Sequence, residues 1–146
     1  LGMLKSIDAY FIADTKSVAY IYFRNCAVKV TPPGIEMIDY IDLGGYVWRE
    51  QIINRDFEIS DDTDCDFRQF ISNVAGKNPV NVDSIESTVG FLLHGFKNRS
   101  YCPAVIINDE ILSENPEGGT GKGLFVNGVS QMKKVVTIDG KSFALP

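Results

Sequence analysis

The sequence predicts an α+β fold: an N-terminal antiparallel β-sheet region over residues 1–60, a two-helix linker over 61–100, and the first βαβ unit of a truncated phosphate-loop (P-loop) α/β core over 101–146. Three observations carry that reading. The first sixty residues hold short β-branched and aromatic runs separated by turn residues, the pattern of strands and hairpins. Between 61 and 100, apolar residues recur at helical spacing behind short polar side chains suited to capping. Around residues 117–123, glycines and a lysine stand immediately before an apolar helical pattern and between two apolar runs.

Residues 4–14, with Leu4, Ile7, Tyr10 and Phe11, fit a short helix about as well as a strand. From Val18 the pattern is β: residues 18–23 lead through Arg24-Asn25, a tight turn, into residues 26–30. Thr31-Pro32-Pro33-Gly34 makes a second turn, because proline presets φ and glycine accepts the left-handed region. A third strand follows over 35–40. Gly44-Gly45 breaks the chain before Tyr46-Val47-Trp48-Arg49, and residues 52–59 read either as a further strand or as an irregular crossing segment.

An acidic cluster at Ser60-Asp61-Asp62-Thr63-Asp64 marks a boundary and suits a helix N-terminus. Phe67, Phe70, Ile71 and Val74 then form a helical stripe, with Gly76 placed as its C-terminal cap. Lys77-Asn78-Pro79 links to a second helix, for which Asp83 with Glu86 gives a capping pair and Ile85, Val89, Leu92, Leu93 and Phe96 one apolar face. Lys97 and Arg99 favour the end of that helix and serve as caps rather than nucleic-acid contacts; His94, beside the stripe, reads as structural. Residues 104–107 (Ala-Val-Ile-Ile) are apolar throughout, as a strand buried on both faces requires. A helix over 122–132, with Leu124, Phe125, Val129 and Met132 on one face, and a strand over 135–139 complete the βαβ pattern.

With 146 residues, 45% hydrophobic and 23% charged, the chain can bury a core of ordinary size. Its net charge of -5 announces no surface for tracking nucleic-acid phosphates. Three cysteines, Cys26, Cys65 and Cys102, lack the spacing of a zinc site or a disulfide framework, which points to a reducing cytoplasm. No apolar run is long enough to span a bilayer. The chain opens on Leu1 and closes shortly after an apolar run, so it reads as a fragment of a longer protein.

The chemistry concentrates in Glu117-Gly118-Gly119-Thr120-Gly121-Lys122-Gly123. Glycine lets successive backbone N–H groups turn inward on an anion, and a following helix start adds its dipole. Gly118, Gly119, Thr120, Gly121, Lys122 and Gly123 are therefore the candidate nucleotide-binding residues, with Lys122 the cation that reaches the outer phosphates. The match to G-x-x-x-x-G-K-[ST] departs at two places. Pro116 occupies the first glycine position and has no N–H; Gly123 occupies the Ser/Thr position and has no hydroxyl for Mg²⁺. A dinucleotide fingerprint starting at Gly119 fails at Leu124. Candidate metal-binding acids are Asp139 and Asp109, each closing an apolar run at the end where parallel strands present ligands.

The tract from Pro103 to Phe143, with residues 104–107, Asp109-Glu110, the loop, Leu124-Phe125 and Ile138-Asp139-Gly140-Lys141, resembles the primase-helicases of bacteriophages and mobile elements. So does Val89-Gly90-Phe91-Leu92-Leu93-His94, and the stretches around Tyr22-Phe23-Arg24-Asn25 and Tyr46-Val47-Trp48 look like the β-rich region before that ATPase core. The resemblance implies a superfamily 3-like P-loop ATPase using ATP and Mg²⁺, working as a homo-oligomeric ring around single-stranded DNA. It implies a parent helicase whose second acidic motif and arginine finger lie downstream, so that the fragment itself is inactive. The alternative is a non-catalytic binding or oligomerisation module with a degenerate loop.

Overall fold

The computed structural model describes residues 8–60, 65–108 and 119–140. Its fold is mixed α+β, a four-stranded sheet with three helices: β1 (Ala19–Phe23), β2 (Ala27–Thr31), β3 (Gly34–Ile38), β4 (Ile52–Ile53), α1 (Asp66–Val74), α2 (Pro79–Leu93) and α3 (Lys122–Ser130). Strand order is β3-β2-β1-β4.

The three-strand meander forms where the turn chemistry places it. Arg24-Asn25 connects β1 to β2, closed by the Phe23 amide donating to the Cys26 carbonyl at 2.8 Å, and Pro32-Pro33 connects Thr31 to its partner Gly34. Pairing Ile21 with Val28 and Val28 with Met37 puts these residues on one face. Phe23, Cys26 and Val28 are its buried centre, flanked by Ile21, Val30, Ile53, Phe57 and Met132. Asn25 holds Phe57 there. Its amide oxygen accepts from the Phe57 N–H at 2.8 Å and its amide nitrogen donates to the Phe57 carbonyl at 2.9 Å, leaving the Phe57 ring 5.0 Å from that of Phe23.

The sheet is mixed rather than antiparallel, because β4 pairs with β1 in parallel, Tyr22 opposite Ile52. β2 already lies between β1 and β3, so the free edge of β1 takes Ile52–Ile53, and residues 39–51 provide the crossover length that a parallel pair needs. The 52–59 segment is thus a two-residue strand followed by an irregular crossing. Of the ambiguous 4–14 stretch, the described residues form neither helix nor extended ladder: Phe11 makes a single bridge to Tyr46 and its ring stacks on Trp48 at 4.3 Å.

α1 follows its stripe, with Ile71 buried and Gly76 just beyond it at φ 63°. Its N-cap is Cys65, without a side-chain bond, and the acidic residues 61–64 lie outside the described residues. α2 begins a turn earlier than the Asp83–Glu86 pair implies. Asn78 accepts from the Val80 amide at 3.0 Å, and Pro79 sits in the first turn where its missing N–H costs nothing. It also ends earlier, at Leu93, so Phe96, Lys97 and Arg99 are off the helix.

The βαβ expectation is not met among the described residues. Residues 104–107 and 134–139 have no regular secondary structure, and among the described residues no strand follows Ile53. Ile106 and Val136 are 80% and 72% exposed. Apolar composition favours burial, but a strand exists only as a ladder, and neither run has a ladder partner here.

Candidate functional site

The loop and the helix behind it are set by backbone conformations that only glycine takes at little cost. Gly119 and Gly121 have φ of 77° and 87°, and Gly121 is the left-handed N-cap of α3, so Lys122 is the helix's first residue. The Phe125 amide closes the first helical bond onto the Gly121 carbonyl at 2.9 Å. The remaining first-turn N–H groups therefore point out of the helix start, where an anion is stabilised. Lys122 Nζ donates to Thr120 Oγ1 at 2.8 Å, which brings the ammonium back over the loop.

α1 supports the loop from below. A side chain at Gly121 would meet the Phe70 ring at 3.0 Å, and one at Gly128 would lie inside the Phe67 ring. The Phe67 ring also stands 6.5 Å from that of Phe125, which with Val129 is the buried face of α3. Two glycines thus allow α3 to lie directly on two phenylalanines of α1. The sequence reading missed this contact; Gly128, a glycine inside a helical pattern, is the one local signal from which such a close approach could have been read.

The far end of α3 is held by polar contacts that sequence reasoning missed. Lys133 Nζ donates to the carbonyls of Leu92 and Leu93 at 3.1 Å each and of His94 at 3.4 Å, the unsatisfied acceptors at the end of α2. Burial, helped by the nearby Lys97, pulls the Lys133 ammonium below the usual lysine value, while Asp14 opposes the shift. Asp14 itself accepts from the Gly95 amide at 2.6 Å and from the Tyr20 amide at 2.9 Å. His94 Nε2 lies 2.8 Å from the Thr15 carbonyl, the structural role its sequence position suggested. Apart from Tyr20, six residues from Asp14, these partners lie about 40 to 80 residues apart in the chain, and no local pattern announces them.

Of the candidate nucleotide-binding residues, Gly119, Thr120, Gly121, Lys122 and Gly123 are brought together at the start of α3, while Gly118 lies outside the described residues. Asp109 also lies outside them, and Asp139 stands in the irregular segment after α3. Among the described residues no three His, Cys, Asp or Glu side chains form a group able to hold a metal ion. The residues present suit phosphate oxygens; at Gly123 they offer no hydroxyl to Mg²⁺. That position is nonetheless open, since a Cβ there would meet nothing within 4 Å.

A separate cavity of about 800 Å³ opens at the opposite end of α3, lined among others by Phe11, Asp14, Trp48, Glu50, Lys133 and Lys134. It is distinct from the Gly119–Lys122 loop. No described helix is long and apolar enough to cross a membrane. Comparison of the chain with protein-family models, curated proteins and solved structures gave no match.

Proposed function

We propose that this chain carries the phosphate loop of a DNA helicase-like P-loop ATPase acting in phage or mobile-element DNA replication. The observation that carries the reading is Gly121, left-handed at the N-cap of α3 with Lys122 as the next residue. That geometry supports binding of the β and γ phosphates of ATP by backbone N–H groups and one ammonium. At Gly123 these residues offer Mg²⁺ no hydroxyl, so the proposal assigns them phosphate binding and leaves hydrolysis to the parent protein. Single-stranded DNA and ring neighbours are partners of the parent protein in this proposal, and free cysteines, with Cys65 and Cys102 exposed, suit a reducing cytoplasm.

Isothermal titration with ATP tests it. Wild type binds weakly and turns over no ATP; Lys122→Ala loses the binding heat; Gly123→Ser tightens binding only when Mg²⁺ is present. Identical heats for wild type and Lys122→Ala would remove the site assignment. A second reading, a docking or oligomerisation module with a degenerate loop, draws on the edge strand β3, where Ile35 and Met37 are 57% and 43% exposed. It is favoured if single-stranded DNA binding or oligomers persist in Lys122→Ala without nucleotide.

A further inference from the structure

α3 is a short rod, nine residues or about 14 Å long, with the phosphate loop at one end and Lys133 just past the other. A rod of that length transmits a displacement at one end to the other with little bending. Its middle rests on α1 through Phe67, Phe125 and Gly128, a non-directional contact of apolar surfaces. Its far end is fixed by directional bonds: one ammonium on three successive carbonyls of residues 92–94. Those carbonyls carry the negative end of the α2 dipole, so the attraction is charge-assisted as well as geometric. Residues 94 and 95 are in turn anchored toward β1, His94 through the Thr15 carbonyl and Gly95 through the Asp14 carboxylate that also takes the Tyr20 amide. The contact is close: a Cβ at 95 would meet Asp14 Oδ2 at 2.8 Å, so a side chain there would require the carboxylate to move.

From this arrangement we infer that Lys133 is a positioning residue for the phosphate loop: by locking the end of α3 to the C-terminal turn of α2, and through Asp14 to the sheet, it sets the angle at which the Gly119–Lys122 backbone is presented. This rests on the phosphate-binding reading above. The role needs a cation that can serve several carbonyls at once, which lysine and arginine provide and methionine, of similar length, does not.

The test compares wild type, Lys133→Met, Lys133→Arg, Lys122→Ala and, as a purely destabilised control, Val28→Ala in the sheet core. Two quantities are read: ATP affinity by titration, and hydrogen exchange at the Phe125 amide, the first helical bond of α3. Lys133→Met is expected to weaken ATP binding about tenfold, equivalent to about 1.4 kcal/mol, and to speed exchange at Phe125. Lys133→Arg restores both, while Val28→Ala lowers the melting temperature and changes neither in the folded protein. The inference is overturned if Lys133→Met matches wild type in both, or if Lys133→Arg fails as badly as Lys133→Met. Should wild type and Lys122→Ala bind ATP equally, the phosphate reading falls on its own. Exchange at Phe125 then still decides whether Lys133 fixes α3.

Discussion

The β1–β2 hairpin and the α3 segment are held in place by different physics. In the hairpin, Tyr22, Phe23, Cys26, Ala27 and Val28 are all buried around a two-residue turn, and each strand finds its partner a few residues away. α3 has two buried residues, Phe125 and Val129, and owes its position to distant groups: phenylalanines of α1 and the carbonyls at the end of α2. The hairpin organises itself, whereas the segment bearing the proposed chemistry borrows its geometry. A mutation in the first should cost global stability, and one in the second should cost alignment.

The strongest way to break that contrast is Phe23→Ala. Phe23 is 3% exposed, packs against Phe57 and has the Arg55 guanidinium 5.9 Å above its ring. Truncation should cost about 3–5 kcal/mol, read from urea unfolding followed by Trp48 fluorescence. A loss below about 1 kcal/mol would mean that the sheet face is not where the burial energy resides.

Gly128→Ala should be smaller and differently distributed. The added methyl falls inside the Phe67 ring, and the expected cost of such overpacking is about 1–3 kcal/mol. Amide exchange should accelerate along α3 and leave the β1–β2 ladder unchanged. Equal acceleration in both would show that sheet and helix unfold as one unit and would erase the distinction.

The same difference explains which features were legible in the sequence. The hairpin could be read because alternation and turn residues are local, and α1 because Phe67, Phe70, Ile71 and Val74 share a face with Gly76 behind them. The start of α3 was legible for a similar reason, since Gly121 and Lys122 announce their own backbone requirements. The start of α2 was misplaced because two local capping signals competed, and Asn78-Pro79 prevailed over Asp83 and Glu86. The parallel pairing of β4 was illegible, as two isoleucines carry no directional information. Residues 104–107 and 135–138 have strand-like composition, but sequence specifies apolarity and not the neighbour that must complete the ladder. Phe70 under the loop and Lys133 behind α3 follow from tertiary proximity alone.

The subtlest test exploits Tyr22, a buried residue of β1 influenced by Asp14, the carboxylate that also accepts from the Gly95 amide. Its phenol is pushed up to about 12, by burial first and then by the Asp14 carboxylate, with Tyr20 and Tyr40 adding to the shift. An acid whose proton is held more tightly in the folded state stabilises fully below its unfolded pKa, near 10.0, and that contribution is lost as pH rises through the folded value. Urea midpoints should therefore fall between about pH 10 and 12 in wild type and fall less in Tyr22→Phe, with the late phenolate absorbance step missing from the variant. Asp14→Asn separates the causes. Removing the charge should bring the Tyr22 step down but leave it above 10.0, because burial is the larger influence. If the step instead returns all the way to 10.0, loss of the Asp14 bonds to Tyr20 and Gly95 has opened the sheet to water, and the hairpin also depends on the distant groups that hold α3.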